Sequence, residues 1–244
     1  MLPPASFIVF DTFAISDPLG KLIVLGLLVV SVWVWSIIFV KYREVFRLHR
    51  ADAAFQRAFK AQNHPLEIFV SRKTLADNPD SDRASVYEAA CEAALREFNA
   101  MADRRGDTAL AIDLEHERLT PLQLEAVRNA AESRMAQRVI LHESSMIILN
   151  AAYSIAPLIG LFGTVWGVML TFMSMGRNGA ADLAAVAPGI SSAMLTTIVG
   201  LVVAIPTSFC ANHIADMLRE ATVDMNSFTE DMLAAFQQRF GVMQ

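Results

Sequence analysis

The chain has 244 residues, 54% of them hydrophobic, with a formal net charge of −5 and a positive mean hydropathy. That balance leans away from an ordinary soluble domain. Its two cysteines, Cys91 and Cys210, have no zinc or redox spacing, and no cofactor or metal is expected.

Residues 1–18 contain no Lys or Arg and carry Asp11 and Asp17, so they lack the basic n-region of a signal peptide. The first apolar run, LIVLGLLVVSVWVWSIIFV from Leu22 to Val40, has no charge. At 1.5 Å per helical residue it spans roughly 28 Å, about one hydrocarbon core. Residues 19–40 therefore read as a first membrane span. Lys41, Arg43, Arg47, Arg50, Arg57 and Lys60 follow it, and Arg128, Arg134 and Arg138 precede the second run. The positive-inside rule then places the N-terminus outside and residues 41–143 in the cytoplasm. Topology and anionic lipid explain this basic stretch, and no nucleic-acid partner is expected.

The cytoplasmic segment reads as helix interrupted by turn signals. His64-Pro65 ends the continuation of the first span, and LADNPDSD, Leu75 to Asp82, reads as a loop. Ser85 with Glu88 reads as the capping box of a helix ending at Gly106, and Thr120-Pro121 as the start of a helix leading into the second span. With several charges per turn, this segment is expected to have little core of its own and to pack against neighbouring copies.

Residues 144–176 and 183–215 read as the second and third spans, joined by a turn at 177–182 on the outer side. Each uncharged run is about 33 residues, or roughly 50 Å of helix, more than a bilayer needs. They project beyond it or bend at Pro157, Pro188 and Pro206, the candidate hinges. Residues 216–244 form a cytoplasmic C-terminal helix, with Met217, Leu218, Val223, Met225, Phe228, Met232 and Phe236 spaced for an amphipathic face that packs inside an assembly.

The second and third spans carry stripes of small residues. Ala156, Gly160, Thr164, Gly167, Thr171 and Ser174 share one helical face, with Gly163 beside them. Gly189, Ala193, Thr196 or Thr197, Gly200, Ala204, Ser208 and Ala211 make the second stripe. Lipid gives no hydrophobic reward for helix contact, so small residues and hydroxyls mark a protein-facing or cavity-facing surface. Two readings stand: close packing of the two spans on each other, or hydroxyls lining a passage, with back-bonding to the helix's own carbonyls available to every threonine. No Asp, Glu, Lys or Arg occurs within the three spans, so a proton moving along them needs a titrating carboxylate from another chain. His213, at the cytoplasmic end of the third span, reads as an interfacial residue. There is no P-loop, HExxH or nucleophile with a base in the same compartment, and no enzyme is expected.

The blocks IAPLIGLFGTVWGVM and LAAVAPGISSAMLTTIVGLVVAIPT, in that order, strongly resemble the MotA/TolQ/ExbB family of bacterial inner-membrane stator proteins. Within that family, DMNSFTEDMLAAFQQRF and VWVWSIIFVKYREV resemble the TolQ branch more than the ExbB branch. The resemblance implies an all-α membrane protein with three transmembrane helices, the second and third extended into the cytoplasm, and a helical cytoplasmic segment. It implies a homopentamer whose second and third spans line a pore holding two copies of a TolR-like or ExbD-like single-span protein, which supplies the proton-carrying aspartate. It further implies a TolA-like or TonB-like partner anchored towards the outer membrane. Thr164 and Thr197 match the family's pore-facing threonines; Thr171, Thr196 and Ser192 extend that lining, and Gly160, Gly163, Gly167, Gly189 and Gly200 keep its wall close. Where many relatives read GIAEAL this chain reads GISSAM, so Ser192 stands in the place of a glutamate. The function implied is a motor driven by the proton gradient, serving outer-membrane integrity and envelope constriction in a Tol-Pal system or, in the alternative, nutrient uptake in a TonB system.

Overall fold

The computed structural model of the chain describes residues 5–62, 64–71, 73–105, 118–144, 146–178 and 183–241. Among them are eight helices: α1 Ala5–Ile15, α2 Pro18–Ala61, α3 Glu67–Ser71, α4 Lys73–Asp77, α5 Asp82–Arg105, α6 Pro121–Ser144, α7 Met146–Asn178 and α8 Leu183–Phe240. No strand occurs among the described residues; Leu119 and Gly241 form one isolated bridge. Three stretches are long and apolar enough to cross a membrane, within Pro18–Ala61, Pro121–Gly176 and Val186–Phe240. The protein is an all-α membrane protein. It divides into two compact units, Met1–Lys41 with Ser145–Ala215 and Tyr42–Ser144 with Asp216–Gln244.

In the first unit, Pro18 opens α2 at the first helical position, where its missing N–H costs nothing. From Leu22 to Val40 the helix is apolar all round, and its neighbours divide its faces. Ile23 and Leu27 are buried against Ala156, Val203 and Ala204, while Leu25, Val29, Val32 and Trp33 are at least half exposed. An apolar face left open on a span is a face for lipid or for another chain. Both α7 and α8 continue as helix through Pro157, Pro188 and Pro206.

The second unit corrects the expectation of a segment with little core. Phe55 of α2, Tyr87 and Phe98 of α5, and Phe228, Phe236 and Phe240 of α8 are all but fully buried in one continuous cluster. At about 1.5–3 kcal/mol for each large apolar side chain removed from water, those six rings alone supply a substantial driving force. Phe55 meets Phe228 edge-on with centroids 5.9 Å apart, and Phe59 meets it at 5.0 Å. The apolar stripe of the C-terminal helix is thus spent inside the chain, on Met225, Phe228, Met232 and Phe236, and Val223 lies 63% exposed outside it.

A polar layer closes this core. The buried Asp52 accepts hydrogen bonds from the Ser81 hydroxyl at 2.7 Å and from the Arg83 N–H at 3.2 Å, both through Oδ1. The Ser81 hydroxyl oxygen in turn accepts from the Ala84 N–H at 3.1 Å, which makes Ser81 the cap of α5. That tertiary partner moves the helix start to Asp82, ahead of the local Ser85–Glu88 pattern. The stretch expected as a loop from Leu75 to Asp82 shrinks accordingly, because α4 runs to Asp77. Thr120 and Gln123 do form a reciprocal box at the head of α6. The expected end of α5 at Gly106 and the join of α6 to α7 at Ser145 lie outside the described residues.

Asp82 is held between Arg138 and His142, the latter at 2.7 Å from its Oδ2, and His142 also faces Glu44 at 3.8 Å. Burial pushes the Asp82 carboxyl up, but His142 and Arg138 together outweigh it and hold the group below its ordinary 3.8. At Asp52 burial wins over the bonds from Ser81 and Arg83, and the carboxyl sits above 3.8. Asp82 therefore contributes stability that is fully present above pH 3.8 and lost as pH falls through its lowered value. Asp52 carries the opposite sign: its cost is present at neutral pH and relieved as pH falls through its raised value. Asp82→Asn is expected to destabilise the protein by about 3–5 kcal/mol at pH 7, since it strands a partly buried Arg138. Asp52→Asn keeps the Oδ1 acceptor and is expected to stay within about 1 kcal/mol of the parent. Thermal unfolding of both variants at pH 7 checks the pair; equal losses would contradict the assignment.

Candidate functional site

The first unit is organised around the seam between α7 and α8. Its contacts pair rising numbers on one helix with falling numbers on the other, so the helices are antiparallel. A Cβ built on Gly200 would lie 2.7 Å from the Ala156 carbonyl oxygen, and one on Gly160 would lie 2.8 Å from the Thr196 carbonyl oxygen. One on Gly167 would lie 2.6 Å from the Ala193 Cβ, and one on Gly189 would lie 2.5 Å from the Thr171 hydroxyl oxygen. Gly163 faces Thr196 in the same way, 2.6 Å from its hydroxyl oxygen. At Gly160 and Gly200 any side chain would meet backbone and force the helices apart, whereas at Gly163, Gly167 and Gly189 it would meet a side chain of the facing helix that has to give way. Gly26, with nothing within 4 Å of its own Cβ position, shows the contrast.

The close approach brings three of the predicted hydroxyls into one cluster. The Thr196 hydroxyl is buried and reaches the Gly160 carbonyl of α7 at 2.9 Å and the Ala193 carbonyl of its own helix at 2.7 Å. The Thr164 hydroxyl lies 3.0 Å from the same Ala193 carbonyl, 3.4 Å from the Thr196 hydroxyl and 2.5 Å from that of Thr197. Thr164 and Thr197 are only half-buried, so the cluster has one edge open at the surface of the unit. Thr171 and Ser192 stand apart from it. The Thr171 hydroxyl donates to the Gly167 carbonyl at 2.8 Å and that of Ser192 to the Gly189 carbonyl at 2.9 Å, each within its own helix.

Sequence reasoning missed the carbonyl half of this cluster. Ala193 and Gly160 each offer an oxygen to two hydroxyls, a role that leaves no mark on residue type. It also missed Thr207, buried in the third span with its hydroxyl on the Val203 carbonyl. Chemically, the site is a short hydroxyl–carbonyl relay in a charge-free stretch: it can hydrogen-bond water or a passing donor, and it holds no group that takes up a charge. Among the described residues no cluster of ligands fits a metal ion.

The seam yields a compensation test. Gly167→Ala sets two methyl groups against each other and is expected to lower stability by about 1–3 kcal/mol. Adding Ala193→Gly removes the opposing methyl and is expected to recover most of that loss, whereas Gly26→Ala is expected to be neutral. Unfolding midpoints in one detergent decide it; a double variant no better than the single one would contradict this packing.

Residues 80–227, which include most of both helices of the seam, match the MotA/TolQ/ExbB proton channel family. The chain is 30% identical over 193 residues to the Tol-Pal system protein TolQ of Pseudomonas aeruginosa, covering 79% of this chain and 77% of that protein. It is 29% identical over 211 residues to the biopolymer transport protein ExbB of Salmonella typhimurium, covering 85% of this chain and 77% of that one. Against ExbB of Neisseria meningitidis it is 27% identical over 221 residues, 90% of this chain and 93% of its relative. A match across more than half of the chain, with relatives of both kinds alongside it, settles the family: the chain belongs to the MotA/TolQ/ExbB proton channel family.

Proposed function

We propose that this chain is the ring-forming subunit of an inner-membrane stator, in which the open edge formed by Thr164 and Thr197 lines the path of the proton. The observation that carries the reading is that edge: two hydroxyls 2.5 Å apart, half-buried, on spans without a single charged side chain. A pathway of this composition needs a carboxylate from elsewhere. A single-span TolR-like or ExbD-like partner, two copies in a ring of five, supplies it, with a TolA-like or TonB-like protein receiving the movement. Each charge crossing 100 mV releases about 2.3 kcal/mol, enough for a few protons to break and remake interhelical contacts. In this arrangement the N-terminus is periplasmic and the unit of Tyr42–Ser144 with Asp216–Gln244 is cytoplasmic, as the basic residues after the first span favour. Pro157, Pro188 and Pro206 supply the places where the spans flex.

Of the two systems, we favour Tol-Pal, with proton flow serving outer-membrane integrity and envelope constriction during division. The acidic-aromatic C-terminal helix, DMNSFTEDMLAAFQQRF, supports that choice. The second reading, an ExbB-type subunit energising nutrient uptake, is supported by the length of the match to the Neisseria protein. Expression in strains lacking TolQ or ExbB separates them: recovery of detergent resistance in the first is expected, and recovery of receptor-dependent uptake in the second alone would reverse the assignment.

Thr164→Val and Thr197→Val are expected to abolish that recovery while leaving assembly intact, and Thr164→Ser to retain most of it. Native mass spectrometry and a detergent-sensitivity assay read the two properties separately. Full activity of both valine variants would remove the threonines from the pathway.

A further inference from the structure

In the unit made by Tyr42–Ser144 and Asp216–Gln244, the exposed charge of α2 and α8 is sorted by helix, while α6 exposes both signs. On α2 beyond the first span, Arg43, Arg47, Arg50, Arg57 and Lys60 are exposed. The two carboxylates of that stretch do not share their face, since Asp52 is buried and Glu44 turns to His142. On α8 the pattern inverts. Asp216, Glu220, Asp224, Glu230 and Asp231 are exposed, with Arg219 the one exposed cation among the described residues of that stretch. Asp224 and Glu230 are engaged within the chain, by Arg83 at 3.1 Å and Arg128 at 3.6 Å. Among the described residues Asp216, Glu220 and Asp231 have no such partner, and Arg47 reaches Asp80 alone, at 4.0 Å with both side chains more than half exposed.

The two stripes are also in register. Gln56 and Asp224 share Arg83, Phe59 packs on Phe228, and His64, just past the end of α2, packs on Phe240, so within this unit α2 and α8 run parallel with numbers differing by 168 to 176. The charges repeat within that window: Arg47 and Glu220 differ by 173, Arg50 and Asp224 by 174, and Arg57 and Asp231 by 174. Copies arranged as a ring in one bilayer are related by rotation about the membrane normal, which leaves every residue at its depth. A basic stripe and an acidic stripe in register on one subunit form the head-to-tail complement that a closed ring requires.

We propose that the basic face of α2 on one copy docks against the acidic face of α8 on the next, so that a second copy of this chain is the partner of both stripes. This rests on the ring reading above. Each pair is solvent-exposed and individually weak, so the stripes act as a set, specifying order and register and weakening with salt.

The test uses the full-length protein in detergent and two charge-reversed forms, Arg47→Glu with Arg57→Glu and Glu220→Arg with Asp231→Arg. Each alone is expected to assemble at least tenfold less well than the parent by native mass spectrometry, with helical content unchanged. Co-expressed, they are expected to recover part of that assembly as mixed species, because each offers the other an oppositely charged face at every interface except the one that a ring of five must leave between like copies. Milder forms, Arg47→Gln with Arg57→Gln, keep the test open if a reversal fails to fold. Rescue only when all four reversals sit on one chain, and none on mixing, would place the pairing within the chain and overturn the proposal. Parent-like assembly of both reversed forms would overturn it too, and would leave the stripes for lipid or another protein while the ring reading stands. A parent that does not assemble overturns the ring reading and this proposal with it.

Discussion

Gly160 and Gly200 let the backbones of α7 and α8 approach until a methyl group no longer fits between them, and the rest of the first unit follows from that approach. Lipid does not drive helices together by hydrophobic exclusion, so the contact rests on dispersion at short range and on hydrogen bonds across the seam. The threonines serve the second purpose. Thr196 crosses to the Gly160 carbonyl, and Thr164 crosses to that of Ala193. With larger residues at the glycine positions these hydroxyls would be left to their own helices.

The same approach decides which hydroxyls remain available. Thr196 is enclosed, and its acceptors are all within the chain, whereas Thr164 and Thr197 meet at the edge. The seam therefore reconciles two uses of small residues that compete on a single helix. Its inner part is packing, and its outer part presents polar groups without a charge. A charged group there would carry a desolvation cost in every state of the protein; on the proposed function, the charge is carried on a separate partner helix and meets the site only in the assembled complex.

The spans, their number and the small-residue stripes were legible in the sequence because they are written as absences: long runs without charge, and helical faces without bulk. The charge-rich second unit was not. Its core joins Phe55, Tyr87 and Phe228, residues separated by most of the chain, and the charges that cover it hide the apolar period within each helix. The cap at Ser81 was misread for a related reason. Local pattern favoured Ser85, and the deciding partner, Asp52, lies 29 residues earlier in the chain. At the site, residue types pointed to Thr164, Thr196 and Thr197, but nothing in them distinguishes a hydroxyl that faces a carbonyl from one that faces outward. That distinction is set by the rotation of one helix against the other.

The second unit is assembled from pieces that flank the membrane spans: the end of α2, α3 to α6, and the last part of α8. Phe228, Phe236 and Phe240 are made only after the third span, and without them Phe55 and Tyr87 have no lid. The core can therefore close only after the third span has been synthesised. Until then the earlier helices present an incomplete apolar surface of the kind that chaperones and proteases recognise. Completion of this unit in effect reports that the third span has been made, and a product cut short before α8 advertises itself for removal.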